Sequence, residues 1–219
     1  MKARSGNVLM YVMIAILLFA ALSFALMRSG GGDAGIAGGM GDERAALKGG
    51  ELIAHAMAAR SAVEQMRVLS NVQPSEFDFV KPGGTGFDTP PHTGKVFHPV
   101  GGGLSAFVDS PELFANGASG RGWVAQQGTN VEWSATGASD IIYTFVDTSR
   151  QICAAINQKL YKSSAIPVLS LTSSAAFVNG GADDAAITSA SCTDCVGKPS
   201  LCVEDSAGAY AFYTIVLSR

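Results

Sequence analysis

Between Val8 and Met27 the chain reads VLMYVMIAILLFAALSFALM, twenty residues without a charge, a proline or a glycine. A helix of that length covers about 30 Å, the thickness of a bilayer's hydrocarbon core. Inside lipid the backbone has to satisfy its own polar groups, and one continuous helix does so. Lys2 and Arg4 stand ahead of the run, and Arg28 follows it. The positive-inside bias then places the N-terminus in the cytoplasm and the remainder outside. The expectation is a single membrane crossing over residues 7–28, with an extracytoplasmic domain over residues 42–219.

Three processing outcomes compete for this segment. A secretory signal peptide would be cut at the small-x-small triplet Ser23-Phe24-Ala25, although the run exceeds the about 7–15 apolar residues of an ordinary h-region. An uncleaved signal anchor would leave the chain intact. The third outcome follows from Gly6. Residues 1–6 form a short basic leader that ends in glycine and passes directly into the apolar run. This arrangement resembles the leaders of type IV prepilins and of type II secretion pseudopilins.

The resemblance implies cleavage between Gly6 and Asn7 on the cytoplasmic side, with the apolar helix retained. It also implies assembly into a filament through Val8, Leu9, Tyr11, Ile14, Leu17, Leu18 and Leu22. Other pilin-like subunits would be the partners, and the bacterial inner membrane and periplasm or cell surface the setting. Members of that family usually carry a Glu at the fifth mature position, which is Tyr11 here, and an aromatic first residue, where this chain has Asn7. Tyrosine cannot form the carboxylate's ion pair, although its hydroxyl can hydrogen-bond. The departure fits a pilin-like protein better than a major pilin.

The chain has 219 residues, enough beyond the span for one domain with its own core. Charged residues make up 15% and the net charge is −3, with Lys and Arg scattered. That composition argues against nucleic acid, whose phosphates require clustered basic side chains.

Residues 29–41, SGGGDAGIAGGMG, carry seven glycines in thirteen positions and read as a flexible neck. Residues 42–70 place Leu52, Ala56, Ala59, Val63 and Met66 at helical spacing, an amphipathic helix suited to lie on a sheet. Arg60 and Glu64 pair at i,i+4, Asp42 and Glu43 favour the helix start, and Gly49-Gly50 should weaken or kink the first turns. His55 is a lone histidine and reads as a boundary residue.

Pro74 opens a region of loop and short strands rich in Pro and Gly. His92 and His98 lie six residues apart without a further histidine or carboxylate pair beside them, so no metal site is expected. Gly101–Gly103 lacks the Lys-Ser/Thr of a phosphate loop. From Leu104 onward the pattern turns to strands. Gly122–Gln126 and Asn130–Ser134 around Gln127-Gly128-Thr129 suggest a hairpin. Trp123 and Trp133 are core candidates, with a carbohydrate platform as the sharper alternative. Asp140–Val146 is β-branched and aromatic, a strong strand.

A short helix is expected after Asp147, capped by Asp147 or by a Thr148–Gln151 box, with Ile152, Ala155, Ile156 and Leu160 buried. Ser163–Ser191 reads as a polar loop. The last strands are Ser200–Glu204 and Tyr210–Leu217, the second apolar on both faces and therefore central. The fold class is α+β: an N-terminal transmembrane or spine helix, then a domain with an antiparallel sheet and a short helix.

All four cysteines, Cys153, Cys192, Cys195 and Cys202, fall on the expected outer side, where disulfides form. Three pairings are possible. Cys153 with Cys202 and Cys192 with Cys195 is the preferred one, because a cysteine beside the helix stripe can reach a neighbouring strand. A redox CxxC or a zinc site fits less well, as the pair lies among Ser, Gly, Lys and Pro and has no second CxxC. No nucleophile elbow, metalloprotease motif or nucleotide fingerprint occurs. The expectation is a structural subunit, not an enzyme, with no cofactor. The alternative is a membrane-anchored or secreted binding module of adhesin type.

Overall fold

The structure, a computed structural model, describes residues 12–19, 36–115, 117, 120–132, 137–178 and 186–218. It divides into two units, Met1–Glu43 and Arg44–Arg219. In the first, residues 12–19 are helical, with Val12, Ile14, Leu17, Leu18 and Phe19 exposed. Helix α1 is Ile36–Ser70, so it starts within the expected neck rather than at Asp42. A helix already nucleated extends at the cost of each residue's propensity alone, about 1 kcal/mol for a glycine. Asp42 and Glu43 consequently sit beyond the first turn, which carries no acidic residue. Among the described residues no helix is long and apolar enough to cross a membrane. Most of the expected span lies outside those residues.

The larger unit is α+β. A five-stranded sheet runs in the order β3-β1-β2-β5-β4, with β1 Gly122–Val131, β2 Asp140–Thr148, β3 Ala186–Ile187, β4 Ser200–Glu204 and β5 Tyr210–Leu217. All neighbours are antiparallel except β1 and β3. Helix α2, Arg150–Tyr161, follows β2.

On one face, Leu52, Ala56, Ala59, Val63 and Met66 of α1 are fully buried against Trp123, Tyr143, Phe145 and Phe212, so the expected stripe and its sheet partner both hold. Arg60 Nε reaches Glu64 Oε1 at 3.1 Å on the outer side. Gly49 and Gly50 do not break α1. A Cβ at Gly49 would stand 3.1 Å from Ile156 Cγ1 and 3.5 Å from the Ile152 carbonyl, so the missing side chain lets α1 close on α2. The opposite face is covered by Leu169, Ala176, Phe177 and Ile187, packed on Ile142, Leu201, Tyr213 and Ile215. Ser163–Ser191, expected as a solvated loop, therefore supplies a second core; its Ser and Ala residues mask four buried anchors.

The expected hairpin at Gln127 is instead one strand. Both halves of β1 pair with β2, and the register shifts between Gln126 and Thr129. The extra residue is a bulge, and it reverses the side-chain faces beyond it. Trp123 thus enters the helix-side core and Val131, an even number of residues on, the other. A similar shift near Ile141 puts both Val216 and Leu217 of β5 on the helix side. Strands do not begin at Leu104: residues 104–115 and 120–121 are loop, with a helical turn at Pro111–Leu113 and an isolated bridge from Phe114 to Thr148.

Helix α2 is capped by Ser149, whose Oγ accepts from the Ile152 N–H at 3.3 Å. Asp147 takes a left-handed φ of 67° and Thr148 ends β2, its hydroxyl donating to the Leu113 carbonyl at 3.0 Å. Neither is free to cap. The buried positions of α2 are Ile152, Cys153, Ile156 and Asn157, with Ala155 and Leu160 only partly covered.

Helix α2 also closes the outer edge of β4. Tyr161 OH donates to the Ser200 carbonyl at 2.7 Å. Asn157 Oδ1 accepts from the Cys202 N–H and its Nδ2 donates to the Cys202 carbonyl. Glu204 exchanges backbone bonds with Pro167 and Leu169. Every second residue of the edge is thereby occupied, as the alternation of strand hydrogen bonds requires.

Candidate functional site

Gly6 and Asn7, the expected processing pair, lie outside the described residues, as do Val8, Leu9, Tyr11 and Leu22. Ile14, Leu17 and Leu18 are described: they are helical and expose 42%, 67% and 66% of their surface. A helical stretch that presents Leu, Ile and Phe outward has no core of its own, and such surface is where lipid or another helix packs.

The cysteines pair as preferred. Cys153 joins Cys202 with an S–S distance of 2.04 Å, and Cys192 joins Cys195 at 1.94 Å. The first ties α2 to β4 across the helix-side core. The second is buried in the opposite core, with Cys195 fully covered. Buried, bonded sulfurs packed among Tyr213 and Ile215 have a bracing role, since redox exchange needs an accessible thiolate.

His55 is half-buried on α1 inside a ring of aromatics, with centroids 5.0 Å from Phe107, 5.2 Å from Trp123 and 5.8 Å from Tyr143. Its Nε2 lies 3.2 Å from Tyr143 OH. Burial, helped by the charge of Lys81, pushes the imidazole down to about 4. Burial and the negative charge of Asp109 push the Tyr143 phenol up. Both groups are neutral near pH 7, so the pair is a hydrogen bond between uncharged partners in a filled aromatic cluster. Trp123, only 2% exposed, belongs to that cluster and is a core residue; Trp133 lies outside the described residues. A carbohydrate platform needs an open aromatic face, which Trp123 does not offer.

His92 and His98 stack at 4.1 Å with planes 6° apart. Ring nitrogens bind a metal through lone pairs in the ring plane, and parallel planes keep those lone pairs from converging. The His98 Nδ1 already accepts from the Val100 N–H at 3.2 Å. Among the described residues no group of three or more His, Cys, Asp or Glu is arranged to hold a metal.

Beside this stack the chain buries a lysine. Lys95 is 5% exposed, and its ammonium donates to the carbonyls of Gly86, Phe87 at 2.9 Å, and Thr89. It stands where a bound cation would, gathering the loop around itself. An open cavity of about 370 Å³ adjoins it, with Glu76 and Asp78 in its wall. Both carboxylates are committed: Glu76 Oε2 accepts from the Gln73 N–H at 2.7 Å and Asp78 Oδ1 from the Val80 N–H at 2.9 Å. These two carboxylates thus help hold the loop together.

Asn157 and Lys95 were not singled out from the sequence. Asn157 had a signal, a polar residue within the apolar stripe of α2. Lys95 had none, because its three partners are backbone carbonyls. Compared with known protein families, with curated proteins and with solved structures, the chain matches none.

Proposed function

We propose that this chain is a single-pass, pilin-like structural subunit of a type IV pilus-like or type II secretion pseudopilus-like filament. Its N-terminal helix is held first in the bacterial inner membrane and then against the helices of neighbouring pilin-like subunits. The head stays in the periplasm or at the cell surface. The observation that carries this reading is the short basic leader ending at Gly6 and joined directly to the apolar run from Val8.

Two structural features support it. Residues 12–19 are helical with exposed apolar side chains, and α1 lies with its apolar stripe on a sheet that is antiparallel except between β1 and β3. The disulfide-braced end of the head agrees with an oxidising compartment. The absence of Glu at Tyr11 favours a minor or tip position over the bulk of a filament. The role is packing, and the aromatic cluster around His55 serves the head's stability.

N-terminal sequencing of the exported protein tests the reading. A mature chain that starts at Asn7 supports it. A start near Leu26 identifies a signal-peptidase product, an intact Met1 a plain anchor, and either result overturns it.

A further inference from the structure

The rings of His92 and His98 meet because the chain between them winds tightly. The Lys95 N–H donates to the His92 carbonyl at 3.1 Å and the His98 N–H to the Lys95 carbonyl at 3.3 Å, two successive i→i+3 turns. They bring the imidazoles face to face at 4.1 Å, and the Phe87 ring lies 5.2 Å from His98.

One bond fixes where the proton of neutral His98 sits. Its Nδ1 accepts from the Val100 N–H at 3.2 Å, so the ring hydrogen is on Nε2. The lone pair left for a second proton is the one that holds Val100. A proton taken up there turns Nδ1 into a donor, ends the bond and sets a positive ring against His92. The surroundings add to that charge. The Lys95 ammonium, held by the carbonyls of Gly86, Phe87 and Thr89, belongs to the same loop. Burial, then His98 and Lys95, lower the pKa of His92, and the Asp88 carboxylate opposes them. Glu76 and Asp78 stand in the cavity wall beside Lys95, bonded to the Gln73 and Val80 N–H groups.

What the stack secures is the return of the chain onto α1. The His98 carbonyl accepts from the N–H of Gly101 at 2.9 Å and of Gly103 at 3.0 Å. Gly102 sits so close to α1 that a Cβ there would stand 2.8 Å from Met66 Sδ. We propose that the His92–His98 stack is a proton-operated clasp: it is closed while both rings are neutral, and in mildly acidic medium the pair takes up protons, the rings part and residues 100–103 lift from Met66. Histidine is the side chain that changes charge in this range. The clasp stands on this loop alone and is independent of the filament reading.

Hydrogen exchange of the full chain in detergent micelles, at pH 7.5 and 5.5 and corrected for the chemical exchange rate, tests the proposal. When the open form binds one proton more than the closed form, the open fraction grows about tenfold for each pH unit below the ordinary 6.5 of histidine. Exchange in residues 98–103 is therefore expected to rise about tenfold at pH 5.5. His98→Asn offers Oδ1 to the Val100 N–H but takes up no proton, and its exchange should differ less than about twofold between the two pH values. His92→Phe keeps a ring to stack and removes one charge, so its rise should be smaller than that of the wild type. Where the loss of the His98 ring loosens the loop at both pH values, the His92→Phe comparison decides. His55→Gln should leave the rise in place, which separates the clasp from the acid response of the aromatic cluster. No rise in the wild type, or a full rise in His98→Asn or His92→Phe, overturns the proposal. A rise abolished by His55→Gln also overturns it, because the loop would then only follow the stability of the whole head.

Discussion

The Asn157 side chain acts as a strand towards Cys202. Its Oδ1 accepts from the Cys202 N–H at 2.9 Å and its Nδ2 donates to the Cys202 carbonyl at 2.8 Å, while the second amide hydrogen reaches the Ala165 carbonyl at 2.9 Å. One buried side chain thus satisfies three backbone groups. Leaving buried polar groups unpaired costs about 1–3 kcal/mol each before relaxation. Asn157→Ala is expected to lower stability by about 2–4 kcal/mol in urea unfolding. A loss below about 0.5 kcal/mol, the scatter of surface substitutions, contradicts the role assigned to this amide.

The two disulfides close loops of very different length. Cys153 and Cys202 are 49 residues apart and Cys192 and Cys195 only three. Loop entropy assigns about 4 kcal/mol to the first and about 1.5 kcal/mol to the second. The Cys153→Ala/Cys202→Ala variant should therefore unfold at a clearly lower denaturant midpoint than Cys192→Ala/Cys195→Ala. Equal midpoints would mean that buried packing around Cys192 and Cys195 outweighs chain entropy.

His55 makes the head sensitive to mild acid. The unfolded chain takes up a proton on this residue near its ordinary 6.5, and the folded chain only near 4. Between those values the unfolded state binds more protons, so stability is full above about pH 6.5 and falls towards pH 4. With partial solvent exposure the loss amounts to about 1–2 kcal/mol. His92 acts in the same direction, its pKa lowered by burial and by the neighbouring His98 and Lys95. The comparison to make is wild type against His55→Gln, which keeps a hydrogen-bonding group near Tyr143. The variant's midpoint should depend less on pH from 6.5 to 4. Asp205 contributes lower down. Burial raises its pKa, but N–H bonds from Ser173, Ala209 and Ala207 outweigh that, so its stabilisation is lost only as pH falls below the ordinary carboxylate range.

Lys95 organises its loop from inside. Lys95→Met keeps the aliphatic stem and removes the ammonium that gathers Gly86, Phe87 and Thr89. Hydrogen exchange is expected to rise in residues 86–103, where Gly101 and Gly102 also bond back to His98 and Lys95, with little change in the middle of α1. Uniform loosening across the head would show that the loop is part of the main cooperative unit.

Periodicity carried much of the fold. The α1 stripe from Leu52 to Met66, the strand at Ile141–Val146 and the two-faced β5 were legible because burial repeats at the spacing of the element. What failed were features decided by one residue or by a distant partner. Gly49 looks like a helix breaker until Ile156 is placed beside it. Gln127-Gly128 looks like a turn because a bulge and a hairpin use the same residues. Thr148 has the chemistry of a cap but is already bound to Leu113. Of the candidate site, the sequence left three cysteine pairings open; the position of Cys153 beside the helix stripe favoured the one that the structure has. The carbonyl cage around Lys95 was not legible, since backbone acceptors leave no trace in composition.

Strand β5 separates β2 from β4, yet it is assembled from residues 210–217. Until those residues emerge, α1 and β2 have half a floor and β4 has no neighbour within the sheet. The head therefore cannot mature stepwise from its N-terminal side during synthesis. It waits for one late segment to slot between earlier ones, a long-range closure of the kind that slows folding. The hazard for this protein is the interval before that slot is filled.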